Sequence, residues 1–148
     1  MGFGFQFDTV RFPRFFQQGS EPAVQKAIEG LFDGLAGAET VLVTTVDGHR
    51  VASSIRTGRE TNPQRLAAIV GSLCGLGETL VRETGHQEFN DVAIVSKTGI
   101  SVVRRLPEPG QRLIVLVTAD TNANPGMVGS HARHLARTLA ALCVAPAA

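Results

Sequence analysis

The chain has 148 residues, 43% of them hydrophobic and 18% charged, which is enough apolar sequence for one domain with a buried core. Its formal net charge of +1 disfavours nucleic acid as a partner, because proteins that neutralise phosphates usually carry a marked excess of Lys and Arg. With two cysteines, no secretory-type leader and no apolar run long enough for a membrane span, the sequence predicts a cytoplasmic protein without a disulfide framework.

Residues 1–19 form a Phe-rich segment that holds six of the chain's eight Phe residues. Phe3, Phe5 and Phe7 alternate with smaller or polar residues, a spacing typical of a strand. One interpretation is a tail that folds back over an apolar edge or groove of its own domain. The other is a motif that docks on a partner. We therefore divide the chain into this N-terminal tail, 1–19, and a single domain, 20–148.

The domain begins with a predicted helix at 21–35, in which apolar residues recur at helical spacing. A hairpin follows, with strands at 39–46 and 50–55. Asp47-Gly48 predicts the tight turn between them, because both residue types tolerate a positive φ.

The second half of the domain contains two more helices and three strands. Asn62-Pro63 and Asn124-Pro125 each pair an N-cap residue with a proline in the first turn, so they predict helix starts. The first of these helices is expected to end near Thr84 and the second near Cys143. The strands are predicted at 89–96, 100–106 and 113–119. This order, αββαβββα, predicts an α+β fold with one five-stranded antiparallel sheet and helices on both faces.

The second predicted helix has two unlike sides when it is projected at about 100° per residue. We expect the larger apolar residues to pack on the sheet: Leu66, Ile69, Val70, Leu73, Leu76, Leu80 and Val81. The opposite side is rich in small residues: Ala68, Gly71, Ser72, Gly75, Glu78, Thr79 and Arg82. Each glycine costs about 1 kcal/mol of helix propensity relative to Ala. A second helix that approaches closely would offset this cost, and so would another part of the same chain, such as the Phe-rich tail.

No motif in the sequence predicts catalysis, a metal site or a cofactor, so we expect no enzyme. A phosphate-binding Gly-x-x-x-x-Gly-Lys-Ser/Thr loop is missing, and Cys74 sits in an apolar stretch without a neighbouring base. His131 and His134 lie three residues apart, but zinc usually takes three or four ligands. Arg104-Arg105 and Arg112 flank a hairpin and indicate either an anion-binding or docking patch, or a charged sheet edge that resists aggregation.

Three segments together resemble the roadblock/dynein-light-chain family over roughly residues 22–143. The hydrophobic strand, Asp-Gly turn and small-residue return strand at 41–53 resemble its first hairpin. Arg65-Leu66-Ala67-Ala68 is similar to the start of its second helix, and Asn124-Pro125-Gly126-Met127-Val128 to the start of its last helix. The Phe-rich tail lies outside the resemblance.

The resemblance implies a profilin-like three-layer fold and a homodimer in which the second helices pack together and the third strands join two sheets. It further implies an interaction module, as in the bacterial MglB-type members that regulate small Ras-like GTPases, or in the scaffolding members of eukaryotes. No catalytic residue carries over. A small-molecule-sensing domain of profilin-like fold is the alternative. The residues expected at the dimer or partner interface are Ala68, Gly71, Ser72, Gly75, Thr79, Phe89, Val92 and Ile94.

Overall fold

The structure, a computed structural model, describes residues 3–56 and 61–145. Its helices and strands follow one another in chain order as β1 (Phe3–Phe7), α1 (Phe12–Phe15), α2 (Glu21–Gly34), β2 (Ala38–Thr45), β3 (Arg50–Arg56), α3 (Pro63–Glu83), β4 (Asp91–Val95), β5 (Gly99–Arg105), β6 (Leu113–Asp120) and α4 (Pro125–Ala140). No helix in this described part of the chain is both long and apolar enough to cross a membrane.

The strands form one sheet in the order β1-β3-β2-β6-β5-β4, and all neighbours are antiparallel. The predicted α+β class and the order αββαβββα are confirmed from α2 onward, but the sheet has six strands rather than five. The additional strand is β1, which comes from the Phe-rich tail. The connection through α3 carries the chain from β3 on one side of the sheet to β4 at the opposite edge.

The N-terminal tail folds back onto its own domain. β1 pairs with β3, so that Phe5 lies opposite Ser54. The Asp8 carboxylate then accepts the N–H groups of Val10 and Arg11 at 3.0 and 2.7 Å, in the turn that precedes α1. The bond from Arg11 is the main reason that the pKa of Asp8 lies below its ordinary value. The structure therefore shows the first of the two interpretations of the tail, in which it folds back over an edge of its own domain.

Two Phe residues of the tail belong to the main core. Phe12 and Phe16 are buried, and their rings stack with centroids 4.6 Å apart. Phe16 also forms a bridge with Cys143, and the Gln17 N–H donates to the Leu142 carbonyl at 2.9 Å. The tail therefore connects the chain's two ends as well as covering the sheet edge at β3.

The sheet lies between two helical layers, because its central strands are apolar on both faces. Val41 and Val43 of β2 belong to the core beneath α2 and α4, whereas Leu42 belongs to a second core beneath α3. β6 alternates in the same way, with Val115 facing α2 and α4 and Leu116 facing α3. The predicted arrangement of helices on both faces is confirmed.

Local signals set most element ends. The Asn62 side chain accepts the N–H groups of Gln64 and Arg65 at 3.0 and 3.1 Å, and the Asn124 side chain accepts that of Met127 at 2.9 Å. The hairpin turn contains Gly48 at φ +90°. The predicted boundaries are wrong by a few residues at two places: β4 begins at Asp91 rather than residue 89, and α4 ends at Ala140 rather than residue 143.

Candidate interaction surface

The side of α3 that packs on the sheet is narrow and consists mostly of small residues. Ala67, Val70, Gly71 and Cys74 are its buried residues. Since these side chains are short, the helix axis lies close to the strands and to the β2–β3 hairpin. This orientation differs from the predicted one and determines what α3 presents to solvent.

Three large apolar residues that the sequence placed against the sheet lie on the outside of α3. Ile69 is 53% exposed, Leu76 68% and Leu80 65%. Their predicted burial is therefore wrong, whereas that of Val70 is confirmed. Leu66 and Leu73 are half-buried at the margin of the core beneath α3.

Gly71 was predicted on the outer side of α3, and this placement is wrong. The residue is buried against the hairpin turn. A Cβ atom built on Gly71 would lie 3.0 Å from both the Cα and the backbone N of Gly48, and 3.2 Å from the carbonyl oxygen of Val46. Gly71 thus makes a close contact within the chain, and a larger residue there would need the hairpin turn to shift.

Four of the predicted interface residues do lie outside. Ala68, Ser72, Gly75 and Thr79 are exposed, and a Cβ on Gly75 would meet no atom within 4 Å. The Thr79 hydroxyl donates a hydrogen bond to the Gly75 carbonyl at 3.0 Å, so this bond would remain if water were excluded from the surface. With the three large residues, these four make up what we call the outer face of α3: Ala68, Ile69, Ser72, Gly75, Leu76, Thr79 and Leu80.

The predicted residues on and before β4 have two different positions. Phe89 and Val92 are half-buried against α3, where a Cβ on Gly77 would lie 2.6 Å from Phe89 Cε1 and 2.8 Å from Val92 Cγ2. Ile94 is 48% exposed and projects on the same side as Val92. Phe89 and Val92 thus hold β4 to α3, and Ile94 adds apolar surface beside that helix.

β4 is the outermost strand at its end of the sheet and pairs with β5 alone among the strands described. Antiparallel strands at an edge leave one row of N–H and C=O groups without a strand partner. The exposed edge therefore lies beside the C-terminal half of α3, where Gly77 packs against Phe89 and Val92.

The three arginines that the sequence grouped together do not form one patch. Arg112 lies over the Phe15 ring, with Cζ 4.9 Å from its centroid. Arg105 binds the Glu78 carboxylate at 2.7 Å and so ties α3 to β5. Arg104 binds Asp91 at 3.0 Å across the β4–β5 pair.

The two cysteines and the two histidines singled out in the sequence lie in different surroundings. Cys74 and Cys143 are buried, and loss of hydration raises the pKa of each thiol to about 11, so both are protonated at neutral pH. His131 and His134 line a groove between α2 and α4. Within residues 3–56 and 61–145, no three His, Cys, Asp or Glu side chains lie close enough to hold a metal ion.

The exposed leucines of α3 are the feature that the sequence analysis missed. Ala67, Gly71 and Cys74 follow the period of an α-helix, and so do Ile69, Leu76 and Leu80. Helical spacing alone does not show which of the two sets packs on the sheet. The set with the larger side chains was the one predicted from the sequence, and that choice was wrong.

The fold is a three-layer α+β domain: α3 packs on one face of the six-stranded antiparallel sheet, and α2 and α4 pack on the other. Large apolar side chains of α3 are exposed, and the edge of β4 is open. The Roadblock/LC7 domain model matches residues 25–117. The chain belongs to the roadblock family, and the resemblance inferred from its sequence is confirmed.

Solved structures place the fold among bacterial MglB proteins. "MglB with tetrameric arrangement" is 19% identical, with a TM-score of 0.72 and coverage of 84% of this chain and 90% of the other. The gliding protein MglB of Thermus thermophilus has the same TM-score and coverage at 17% identity. LokiProfilin1 in complex with rabbit actin is more distant, with a TM-score of 0.51 and 17% identity over 82% of this chain and 97% of the matched one. A comparison with curated protein sequences finds no match.

Proposed function

We propose that the chain is a homodimeric interaction module whose dimer forms through the outer face of α3. The observation that carries this proposal is the exposure of Leu76 and Leu80, at 68% and 65%, beside small residues on the same helix. Large apolar groups that cluster on a surface mark association sites, because burying them releases ordered water. Small neighbours let two helices approach closely enough for the leucines to interdigitate.

The open edge of β4 supports the same arrangement. If the α3 helices of two copies pack side by side, the two β4 strands come to the same seam. Pairing them would satisfy the free backbone groups of each edge and would bury Ile94. Six of the eight predicted interface residues lie in this proposed seam, in exposed or half-buried positions. Gly71 and Phe89 are left out, because Gly71 is buried and Phe89 packs against α3.

The proposed role of the dimer is to regulate or scaffold a small Ras-like GTPase in the cytoplasm, without catalytic residues or a cofactor of its own. Membership of the roadblock family supports an interaction role, and the likeness to MglB structures supports the bacterial regulatory type. The outer surface of such a dimer would offer a continuous platform of two helices to a third protein.

Binding to a GTPase tests this role directly. Each small Ras-like GTPase encoded in the same genome would be loaded with GDP or a non-hydrolysable GTP analogue and passed over the immobilised chain. We expect retention that depends on the nucleotide state, together with a changed rate of GTP hydrolysis when both proteins are mixed. A lack of binding in both states for every such GTPase would contradict the proposal.

A second candidate function is small-molecule sensing, which the groove between α2 and α4 favours. The groove encloses about 440 Å³ and is lined mainly by apolar side chains such as Leu31 and Leu135, with His131 and His134 at its polar points. Ligand pockets commonly have this size and balance. A thermal-shift screen of metabolites tests it, because a ligand that binds only the folded state raises the melting temperature.

A further inference from the structure

A cleft of about 670 Å³ lies at one end of the sheet, next to the start of β4. Its walls come from the α3–β4 loop, the end of β5 with the loop that follows, and α4. Four arginines are among the residues that line it: Arg104, Arg105, Arg133 and Arg137. They come from two elements that are distant in sequence, so only the fold brings them together.

The four arginines differ in how far their charge is neutralised. Asp91 pairs with Arg104 at 3.0 Å, and Glu78 pairs with Arg105 at 2.7 Å. Arg133 and Arg137 are exposed and form no ion pair with any residue that the structure describes.

Arg133 and Arg137 concentrate positive charge on the part of the cleft that α4 forms. They lie one helical turn apart, so both guanidinium groups line the same wall. Like charges at this spacing repel each other and disfavour the helix, and an anion bound between them would relieve that repulsion.

The lining of the cleft also contains apolar groups and two carboxylates. Phe89, Leu106 and Pro107 provide apolar surface near the arginines. Glu88 and Glu108 are exposed at the same cleft and limit its positive charge. A run of phosphates has no apolar groups to place against this apolar surface, whereas a peptide with spaced carboxylates and apolar side chains offers both kinds of contact.

We propose that this cleft binds an acidic peptide segment of a partner protein, with its carboxylates on Arg133 and Arg137 and its apolar side chains against Phe89 and Pro107. Guanidinium groups bind carboxylates through two parallel N–H···O bonds, which gives such a contact both strength and direction.

The site extends beyond the proposed function. Arg133 and Arg137 belong to α4, which covers the face of the sheet opposite to α3, so a dimer through α3 leaves these two arginines exposed. Arg133 and Arg137 also lie outside the segment that matches the family model, residues 25–117. The cleft is thus a second docking surface that does not depend on the identity of a GTPase partner.

The test is a titration of the isotope-labelled full chain, followed by backbone and Arg side-chain NMR signals. The probe is a short peptide of alternating Glu and Leu, and the same peptide with Gln in place of Glu is the uncharged control. We expect saturable shifts at Arg133 and Arg137 with the Glu peptide, and none with the Gln peptide. Shifts spread over arginines elsewhere, or no shift at all, would overturn the proposal.

Charge-neutralising variants show whether the cleft itself binds the probe. Arg133→Gln with Arg137→Gln should weaken peptide binding by about tenfold or more, because two charge-assisted contacts are lost. Arg14→Gln with Lys26→Gln removes the same charge from exposed positions outside the cleft and should leave binding within about twofold.

Two further measurements address specificity. Glu108→Gln should strengthen binding of the Glu peptide, since one repelling carboxylate is removed from the cleft. Inorganic tripolyphosphate and a single-stranded oligonucleotide serve as competitors. If either displaces the peptide at a concentration below that of the peptide itself, the cleft is a phosphate site and the peptide proposal is wrong.

Discussion

Gly71 of α3 and Gly48 of the β2–β3 turn lie backbone to backbone, and a Cβ atom at either position would be in tight contact with the other element. A Cβ on Gly71 would lie 3.0 Å from Gly48 Cα, and one on Gly48 would lie 3.1 Å from the Cα of Ala68. This contact fixes the rotation of α3 about its axis, which turns Ile69, Leu76 and Leu80 outward. One pair of glycines thus connects the packing of a hairpin to the surface through which we propose that the protein dimerises.

Gly71→Ala should destabilise the fold even though Ala is the better helix former. The gain of about 1 kcal/mol in helix propensity is outweighed by overpacking against the hairpin, which typically costs about 1–3 kcal/mol. Gly30→Ala is the matched control, because Gly30 lies within α2 and a Cβ there meets no atom within 4 Å. Urea unfolding at one protein concentration should show Gly30→Ala stabilised and Gly71→Ala not. Equal gains in both variants would contradict the close contact.

Leu76→Glu should convert the proposed dimer to a monomer, because a carboxylate in an apolar seam loses its hydration without gaining a partner. Light scattering behind a sizing column measures the mass directly. Val10→Glu makes a similar change at a residue that is 63% exposed on the tail, and its mass should stay that of the unmodified chain. Gly75→Leu should also dissociate the dimer while leaving circular dichroism unchanged, since the added side chain meets nothing within one copy. A dimeric Leu76→Glu variant would rule out this seam.

Phe16→Ala should cost about 3–5 kcal/mol of unfolding free energy, as expected when a buried Phe is truncated. Phe16 is 1% exposed and joins the main core from within the tail. Arg14→Ala lies two residues away on the exposed side of α1 and should change stability by less than about 0.5 kcal/mol. If both variants unfold at the urea concentration of the unmodified chain, the tail does not contribute to the core.

Features that depend on one turn of chain were predictable from the sequence, because their causes are neighbours in it. Asn62-Pro63 and Asn124-Pro125 start α3 and α4 at the expected residues, and Asp47-Gly48 forms the hairpin turn. The alternating Phe residues of the tail indicated a strand. Which sheet edge that strand joins depends on β3, which lies far along the chain, so the sixth strand was not predicted.

The rotation that the sequence analysis assigned to α3 is wrong, while the interface that it predicted on this helix stays a prediction. Ala68, Ser72, Gly75 and Thr79 are outside as expected, and Gly71 is not. The difference arises because both sides of α3 satisfy helical periodicity, and the sequence does not show that Gly71 packs against Gly48. A tertiary contact of this kind leaves no local trace in a single sequence.

The two buried thiols predict how stability depends on alkaline pH. Burial raises the pKa of Cys74 and of Cys143 from the ordinary 9.0 to about 11, and Glu78 adds to the effect at Cys74. Below pH 9.0 both states keep the thiol protons, so this contribution to stability is complete. As the pH rises toward about 11, the unfolded chain loses these protons while the folded chain keeps them, so the free energy of unfolding falls.

Urea unfolding across that pH range measures the effect. The control is Cys74→Ala with Cys143→Ala. Its stability at neutral pH should be lower, since buried volume is lost, but it should decline less between pH 9.0 and about 11. The stability at neutral pH thus reports on packing, and its decline at alkaline pH reports on ionisation of the thiols. An alkaline decline as steep in the double variant as in the unmodified chain would show that other groups cause it.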